Sequence, residues 1–347
     1  MTMKFTRTLL AGAAAIGIGF AALGGPAAAQ DRPGEGKTVQ MAQPTWDTSW
    51  FGSQIYKQIL EELGYTVEGP TTLDNPPFYQ AVGQGDIDFW AEGWFPLHNT
   101  YKPAFEGKAE IIGYMAKGGA LQGYLVDKAS AEKFDIKSLE DFKRPEVQEA
   151  FDRDGDGKAD LVACPPGWGC EEVIEHHLDA YDLRDHINDI KASYSASMAD
   201  AIAAYGQGKP ILFYTWTPNR TVNELKPGED VVWIEVPEID LPESQADLAD
   251  AATVAGVEGC VADPCKLGFP ANDIRPVANS EFLDENPAVR TLLEDISIPL
   301  EDIFAQNAKM NAGEGDPEDI ERQASEWIAA NRETVDGWLE DARAAAK

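Results

Sequence analysis

The chain has 347 residues, with 28 Lys and Arg against 60 Asp and Glu, which gives a formal net charge of −32 at pH 7. A surface this acidic repels phosphate groups, so nucleic acids and anionic membranes are excluded as favourable partners. The acidic residues are spread along the chain and 44% of the residues are hydrophobic. The composition therefore predicts a folded protein large enough for two lobes.

The first 29 residues have the pattern of a secretory signal peptide. Lys4 and Arg7 precede an apolar run over 9–23, and the alanines at 27–29 form a cleavage signal. Cleavage after Ala29 would leave 318 residues with a net charge of −34, because the leader carries two basic residues and no acidic one. No later stretch has the roughly 18 consecutive apolar residues that a membrane span needs. We therefore expect an exported protein that does not itself span a membrane.

Beyond the leader, strand and helix patterns alternate along the chain. Predicted strands cover 38–42, 65–67, 87–90, 111–115, 121–126, 161–163, 211–215 and 231–236. Predicted helices cover 49–63, 78–82, 138–151, 171–181 and 198–205, with another beginning at Pro96 and a helical end from Pro317 onward. Ser138 is the expected N-cap of its helix, with Asp141 three residues later. This alternation predicts an α/β fold with mostly parallel sheets.

The order of these elements predicts how the two lobes divide. The strand over 121–126 could carry the chain into a second lobe, 122–235, leaving 30–121 and 236–347 as the first. Within the last part, 238–266 is rich in Asp, Glu and Ala, and we expect a surface excursion pinned by a pair of cysteines. Trp327 and Trp338 recur at helical spacing, so they are expected to pack in the core.

The four cysteines fall in two local pairs, Cys164 with Cys170 and Cys260 with Cys265. Close pairs usually form disulfides in an oxidising compartment, and short-range pairing is favoured here, although three connectivities are open. Neither spacing is C-x-x-C, which argues against a tetrathiolate zinc site and against a redox motif. We interpret both pairs as structural.

Three tryptophans stand where ligands bind in α/β folds, just past a strand or before a helix. Trp94 lies in EGWFPLH, Trp168 in CPPGWGC and Trp216 in YTWTP. Large aromatic side chains flanked by Gly and Pro at such points are costly to expose without a purpose. Packing of each tryptophan into its own lobe is the alternative, and spacing alone does not decide between the two.

These motifs, together with GEDVVW and AEIIGYMAKGGALQGYLVDK, resemble the periplasmic glycine betaine/proline betaine-binding proteins of osmoprotectant ABC importers. The resemblance runs over nearly all of the mature chain. It implies a type II periplasmic-binding-protein fold whose two lobes close over a zwitterionic betaine. It also implies a monomer in the periplasm, no required cofactor, and a partner that is an inner-membrane ABC permease with a cytoplasmic ATPase.

The resemblance also assigns the site. It implies that the quaternary ammonium group sits in a box of three tryptophans, Trp94, Trp168 and Trp216. The ligand carboxylate would be held by the His98 side chain and by the backbone N–H groups of Gly169 and Cys170. The cysteines that flank the box tryptophan in the family match Cys164 and Cys170.

The chemistry of a betaine fits those residue types. A trimethylammonium group has no N–H donor, so it is recognised by aromatic faces, at ~0.5–2 kcal/mol each when desolvated. Three faces give roughly 2–6 kcal/mol, short of the about 8 kcal/mol of micromolar binding, so the carboxylate end has to contribute. Gly169 and Cys170 directly precede the predicted helix 171–181, whose positive end favours an anion.

The loop after the first strand holds two further tryptophans, Trp46 and Trp50, which the family pattern does not lead us to expect. In such folds this loop faces the cleft, so Trp46 could trim or extend the pocket. Packing under the following helix is the alternative.

An acidic run resembles the first part of an EF-hand-type calcium loop. Asp152, Asp154, Asp156 and Asp160 stand at positions 1, 3, 5 and 9 of that loop, with Gly at position 6. Position 12 is Ala163 instead of the bidentate Glu. A structural calcium site and an Asx-rich turn are both open.

Two other functions are open. A protein of the same class could take choline, trimethylamine N-oxide or dimethylsulfoniopropionate, although choline lacks the carboxylate. An exported enzyme using Cys170 with His98 would need a free thiol, and the sequence holds no G-x-S-x-G, H-E-x-x-H or P-loop motif. We expect a binding protein and not an enzyme.

Overall fold

The computed structural model describes residues 32–347, so the predicted signal peptide lies outside the described residues. The strands are β1 Thr38–Pro44, β2 Thr66–Leu73, β3 Phe89–Phe95, β4 Ala109–Ile111, β5 Ala116–Asp127, β6 Ala159–Val162, β7 Ile187–Ile190, β8 Leu212–Thr217, β9 Val231–Ile234, β10 Thr253–Val254, β11 Cys265–Lys266 and β12 Asn272–Asn279. The α-helices are α1 Trp50–Glu62, α2 Asn75–Gln84, α3 Lys102–Phe105, α4 Lys128–Phe134, α5 Pro145–Phe151, α6 Gly169–Ala180, α7 Tyr194–Gly206, α8 Arg220–Glu224, α9 Ser280–Glu285, α10 Pro287–Asp295, α11 Leu300–Asn311, α12 Pro317–Ala330 and α13 Arg332–Ala345. Short 3₁₀ segments cover Asp47–Ser49, Leu97–Tyr101, Leu139–Lys143 and Glu243–Ala252.

Ten of these strands form one mixed sheet, in the order β2-β1-β3-β12-β5-β8-β6-β7, with β4 beside β12 and β9 beside β5. β1 pairs in parallel with β2 and β3, and β6 pairs in parallel with β7 and β8. Between these two parallel sets lie β5 and β12, which pair antiparallel with their neighbours.

The predicted α/β class is confirmed, but the sheet is more mixed than "mostly parallel". β5 carries the chain from one parallel set to the other and β12 carries it back, so these two strands run in opposite directions. Hydrophobic patterning shows that a segment is a strand, but it does not give the direction of its neighbours.

Burial explains why the central strands form where they do. Every residue of β3 is buried, as is typical of a strand covered on both faces. On one side, α1 packs a stripe at helical spacing against the sheet; its buried apolar residues are Phe51, Ile55, Tyr56, Ile59 and Leu60. At the end of the chain, the Trp327 and Trp338 rings stack 6.3 Å apart between α12 and α13.

Two predicted elements are broken in the structure. The helix expected over 138–151 is a 3₁₀ turn followed by α5, because Pro145 favours an extended backbone at Arg144 (ψ 125°). The predicted Ser138 cap is confirmed: its hydroxyl accepts from the Glu140 N–H, and the Asp141 carboxylate accepts from the Ser138 N–H. The strand expected over 111–115 splits at Gly113, whose φ of +56° ends β4 before β5 begins.

The predicted division into lobes stays a prediction. β5 is consistent with a crossing near 121, since Ala116 and Ala120 pair with β12 whereas 121–127 pair with β8 and β9. Residues 236–266, however, bond to the segment predicted as the second lobe. Trp233 N–H donates to Gly259 O, Val261 N–H donates to Trp233 O, and the Tyr181 hydroxyl donates to Glu238 O.

All four cysteines are paired locally, Cys164 with Cys170 and Cys260 with Cys265, with Cα separations of 5.8 and 6.2 Å. No helix within residues 32–347 combines the length and apolar character needed to cross a membrane.

Candidate ligand-binding site

Four tryptophans meet at the ends of central elements. Trp94 is the penultimate residue of β3, Trp216 lies next to the last residue of β8, and Trp46 follows β1 by two residues. Trp168 is the residue immediately before α6. The three predicted tryptophans are therefore brought together from separate parts of the sheet, at the strand ends where α/β folds bind ligands.

The four indoles line one small cavity of about 30 Å³, which is open on one side. Trp168 is at the centre of the set, with its ring centroid 5.3 Å from that of Trp46 and 5.6 Å from that of Trp216, both edge-on. Trp46, Trp94 and Trp216 are 93–95% buried, and Trp168 is half-buried. We call these four residues the tryptophan cage. Its faces are suited to a desolvated organic cation.

A larger cleft of about 580 Å³ adjoins the tryptophan cage and shares three of its walls, Trp46, Trp168 and Trp216. Its other walls include the buried residues Asn219 and Thr221 and a half-buried ion pair, Asp47 with Arg220, whose charged atoms are 3.6 Å apart. By volume alone, this cleft would be preferred to the cage cavity as the ligand site. The cage is favoured for a small ligand because it brings all four tryptophans, the His98 and Asn75 side chains and the start of α6 around one space.

His98 is buried beside the cage, and its protonation follows from its contacts. Its Nδ1 accepts from the Trp94 backbone N–H at 3.2 Å and lies 2.7 Å from the Tyr79 hydroxyl. Burial lowers the pKa of His98 to about 3, so the ring is neutral at pH 7. Because a backbone N–H can only donate, Nδ1 is the acceptor and the ring proton sits on Nε2. His98 therefore presents one neutral N–H donor.

The Asn75 side-chain amide lies next to this donor. Nε2 of His98 lies 3.2 Å from the Asn75 amide Nδ2, and both side chains line the cage cavity. Asn75 is fully buried, and its Oδ1 has no partner in the described part of the chain. Sequence reasoning missed Asn75, since a single Asn at the start of a helix is a common residue with a common structural use.

The predicted backbone donors lie next to His98. Gly169 and Cys170 are the first two residues of the 12-residue helix α6, whose N-terminus carries partial positive charge. A Cβ on Gly169 would lie 3.0 Å from Cδ2 of His98 and 3.0 Å from Cγ of Leu97, so glycine permits this close approach. The Cys164–Cys170 disulfide closes the loop that carries both N–H groups. It also leaves Cys170 without the free thiol that an enzyme would need.

The loop before α6 is held from the opposite side by two hydrogen bonds. The Trp168 indole N–H donates to Oγ1 of Thr45 at 3.0 Å, and the Tyr101 hydroxyl donates to Gly167 O at 3.1 Å. The site is therefore assembled from sequence segments that are more than 60 residues apart.

Gln122 is a second residue that the sequence did not reveal. It is 99% buried on β5 and lines the cage cavity. Its Oε1 accepts from the Tyr214 hydroxyl at 2.5 Å, and its Nε2 has no acceptor among residues 32–347. It is thus a further donor available to a ligand.

The two unexpected tryptophans, Trp46 and Trp50, have different roles. Trp46 forms one wall of the cage and packs 5.9 Å from Trp90. The Trp50 indole N–H instead donates to Pro44 O at 2.9 Å, and the ring packs against the core at the start of α1. Trp46 belongs to the site and Trp50 to the scaffold.

Three of the four predicted calcium ligands lie together. Carboxylate oxygens of Asp152, Asp154 and Asp156 lie within 4.8 Å of one another in an exposed turn. Asp160 is not in this group: it is buried on β6, where it accepts from the Arg153 N–H at 2.9 Å and the Asn188 amide at 3.3 Å. The Asp152 carboxylate also accepts from the Gly155 and Gly157 N–H groups, as in an Asx-rich turn. Calcium binding stays a prediction.

Comparison with known proteins identifies the class. A family model described as the substrate binding domain of ABC-type glycine betaine transport system matches residues 37–330. The chain is 42% identical over 321 residues to the glycine betaine-binding periplasmic protein OusX of Dickeya dadantii, over 92% of this chain and 94% of that one. It is 40% identical, with the same coverage, to a glycine betaine/proline betaine-binding periplasmic protein of Salmonella typhimurium.

A solved structure gives the same fold. Lactococcal OpuAC, in its closed conformation with glycine betaine, matches with a TM-score of 0.66 at 22% identity, over 87% of this chain and 99% of that one. The predicted type II periplasmic-binding-protein fold is thereby confirmed. The family is one of transporter components and not of enzymes. The chain belongs to the family of substrate-binding domains of ABC-type glycine betaine transport systems.

Proposed function

We propose that this chain captures glycine betaine or proline betaine in the periplasm and delivers it, as a monomer, to an inner-membrane ABC permease. One observation supports the choice of ligand above the others: the tryptophan cage and a cluster of buried donors line the same cavity. A betaine carries a quaternary ammonium at one end and a carboxylate at the other. The cavity offers one kind of recognition for each.

The cage recognises the cation. Four aromatic faces at ~0.5–2 kcal/mol each supply roughly 2–8 kcal/mol when desolvated. Micromolar binding needs about 8 kcal/mol net, after the cost of immobilising the ligand. The cage alone therefore reaches micromolar affinity only at its upper limit, and the anion end has to contribute.

The donors recognise the carboxylate. His98 Nε2 and the Asn75 amide lie 3.2 Å apart on the cavity wall, so a carboxylate oxygen within the cavity can accept from both side chains. The N–H groups of Gly169 and Cys170 donate to no backbone acceptor in the described structure, and they stand at the positive end of α6. Choline would leave these donors unpaired, which disfavours it relative to a betaine.

The relatives support the periplasm as the compartment. The two bacterial relatives above are named as periplasmic binding proteins. Residues 1–29 have the sequence pattern of a secretory signal peptide, and disulfides such as Cys164–Cys170 persist in an oxidising compartment.

Isothermal titration calorimetry on the mature chain tests this proposal. Glycine betaine, proline betaine, choline, trimethylamine N-oxide and dimethylsulfoniopropionate are titrated in turn. We expect the two betaines to saturate one site per chain, and choline to bind at least tenfold more weakly. Trp94→Ala should weaken binding by about 0.5–2 kcal/mol, up to about 30-fold in Kd, whereas Trp338→Phe, in the C-terminal helices, should not change it. Equal binding of choline, or no response to any of the five, would overturn the ligand assignment.

A further inference from the structure

The cage has an acidic residue behind it. Glu92 lies on β3 two residues before Trp94, so both side chains project to the same face of the strand. It is 97% buried. Within residues 32–347, no lysine or arginine forms an ion pair with its carboxylate, and the only group that favours its ionised form is the Trp94 indole.

The carboxyl group points towards the cage. A second small cavity, of about 10 Å³, is lined by Glu92 together with three of the cage tryptophans, Trp46, Trp94 and Trp216. Gly52 on α1 leaves room for this side chain, because a Cβ there would lie 3.0 Å from Oε1 of Glu92. The carboxyl group thus lies against the cage in a cavity that His98 and Asn75 do not line.

A buried acid without a cationic partner is costly to ionise. Burial raises the pKa of Glu92 to about 8, and the Trp94 indole N–H offsets this only in part, since no hydrogen bond of ordinary geometry joins the two groups. Tyr56 on α1 faces Glu92, and burial raises the pKa of its phenol well above the usual value. His98 is neutral throughout the physiological range. Glu92 is therefore the group near the cage that titrates between pH 6 and 9.

We infer that Glu92 is a specificity-determining residue: its carboxylate supplies a negative charge behind the tryptophan cage, and it ionises when a quaternary ammonium enters. The inference rests on the proposed function and deepens it. The proton leaves the Glu92 carboxyl group for the solvent, so the site exchanges a proton for the cationic end of the ligand. A purely aromatic cage would bind the same cation without releasing a proton.

This linkage sets the sign of the pH dependence. Binding that releases a proton strengthens as the pH rises towards the pKa of the free site, which is about 8 here, and becomes constant above it. Below that value, and above the lowered pKa of the complex, the Kd should fall by up to about tenfold for each pH unit.

The test is calorimetry with glycine betaine at pH 6, 7, 8 and 9, in two buffers of different ionisation enthalpy. For the wild-type chain at pH 7 we expect release of about one proton per ligand and a Kd that falls between pH 6 and 8. Glu92→Gln should release no proton and show a flat profile, with a Kd at pH 9 at least tenfold above wild type. Glu92→Met, of similar length, should behave alike. Glu106→Gln, which removes one exposed charge elsewhere, should match the wild type.

The outcomes separate the two proposals. If the wild-type chain binds betaine with no proton release and a flat pH profile, the role of Glu92 is wrong while the proposed function stands. A wild-type pH profile in both Glu92 variants would likewise overturn that role alone. If the wild-type chain binds no quaternary ammonium compound at any pH, the proposed function fails, and the inference fails with it. The proton count on the wild-type chain decides the question even where a variant does not fold.

Discussion

Gly169→Ala tests the close approach between the start of α6 and His98. The added Cβ would lie 3.0 Å from Cδ2 of His98 and from Cγ of Leu97, a few tenths of an ångström inside ordinary contact. Overpacking of this kind costs about 1–3 kcal/mol. Because the contact lies within the ligand site, we expect the cost to reduce affinity, raising the Kd for glycine betaine about 5- to 150-fold.

Calorimetric titration of glycine betaine measures the change, with thermal melting to show that the variant is folded. Gly337→Ala is the matched control. It lies within helix α13, where a Cβ meets no atom within 4 Å, so it should leave the Kd unchanged and stabilise the fold by about 0.5–1 kcal/mol. A Gly169→Ala variant that binds within twofold of wild type would refute the importance of this contact.

Three further predictions follow from named contacts. In a fluorescence titration, Trp46→Ala should weaken betaine binding by about 0.5–2 kcal/mol, whereas Trp50→Phe should leave it unchanged. Equal effects of the two substitutions would show that Trp46 does not contact the ligand. Burial lowers the pKa of His98 to about 3, below its value in the unfolded chain. Protonation of His98 therefore favours the unfolded chain, so the free energy of unfolding is highest above pH 6.5 and falls as the pH is lowered towards 3. At pH 5 this lowers the free energy of unfolding by about 2 kcal/mol. Urea unfolding at pH 7 and pH 5 should show a smaller decrease in His98→Gln than in the wild-type chain. The same decrease in both would contradict a buried neutral His98 ring. If the acidic turn binds calcium, the melting temperature should be higher in calcium than in chelator, and Asp154→Ala should abolish the difference. If chelator does not change the melting temperature of the wild-type chain, the turn is an Asx-rich loop without calcium.

Much of the site is readable from sequence because its signals are local. Trp94, Trp168 and Trp216 each stand at the end of a strand or the start of a helix, where periodicity changes over a few residues. The disulfide that closes the loop carrying Trp168 could also be expected, since its two cysteines are six residues apart in the sequence. The type II fold, in contrast, could be expected only through the family resemblance that these motifs carry.

The remaining site residues depend on packing between distant segments. Trp46 reaches the cage only because β1 lies beside β3 and its loop meets Trp168, 122 residues later in the sequence. Gln122 and Glu92 are polar residues within strands, and no pattern in one sequence shows that the neighbouring strands bury them. Asp160 also depends on long-range packing: its spacing fits a calcium loop, but β6 places it inside the fold, where it accepts from the Arg153 N–H and lies apart from the other three aspartates.

The central claim is that a single cavity recognises both ends of a betaine. A crystal structure of the mature chain with glycine betaine tests this most directly. We expect the trimethylammonium group among Trp46, Trp94, Trp168 and Trp216, and the carboxylate within hydrogen-bond distance of His98 and the Gly169 and Cys170 N–H groups. A betaine bound in the larger cleft beside Arg220, or oriented with its carboxylate towards the indoles, would contradict the claim.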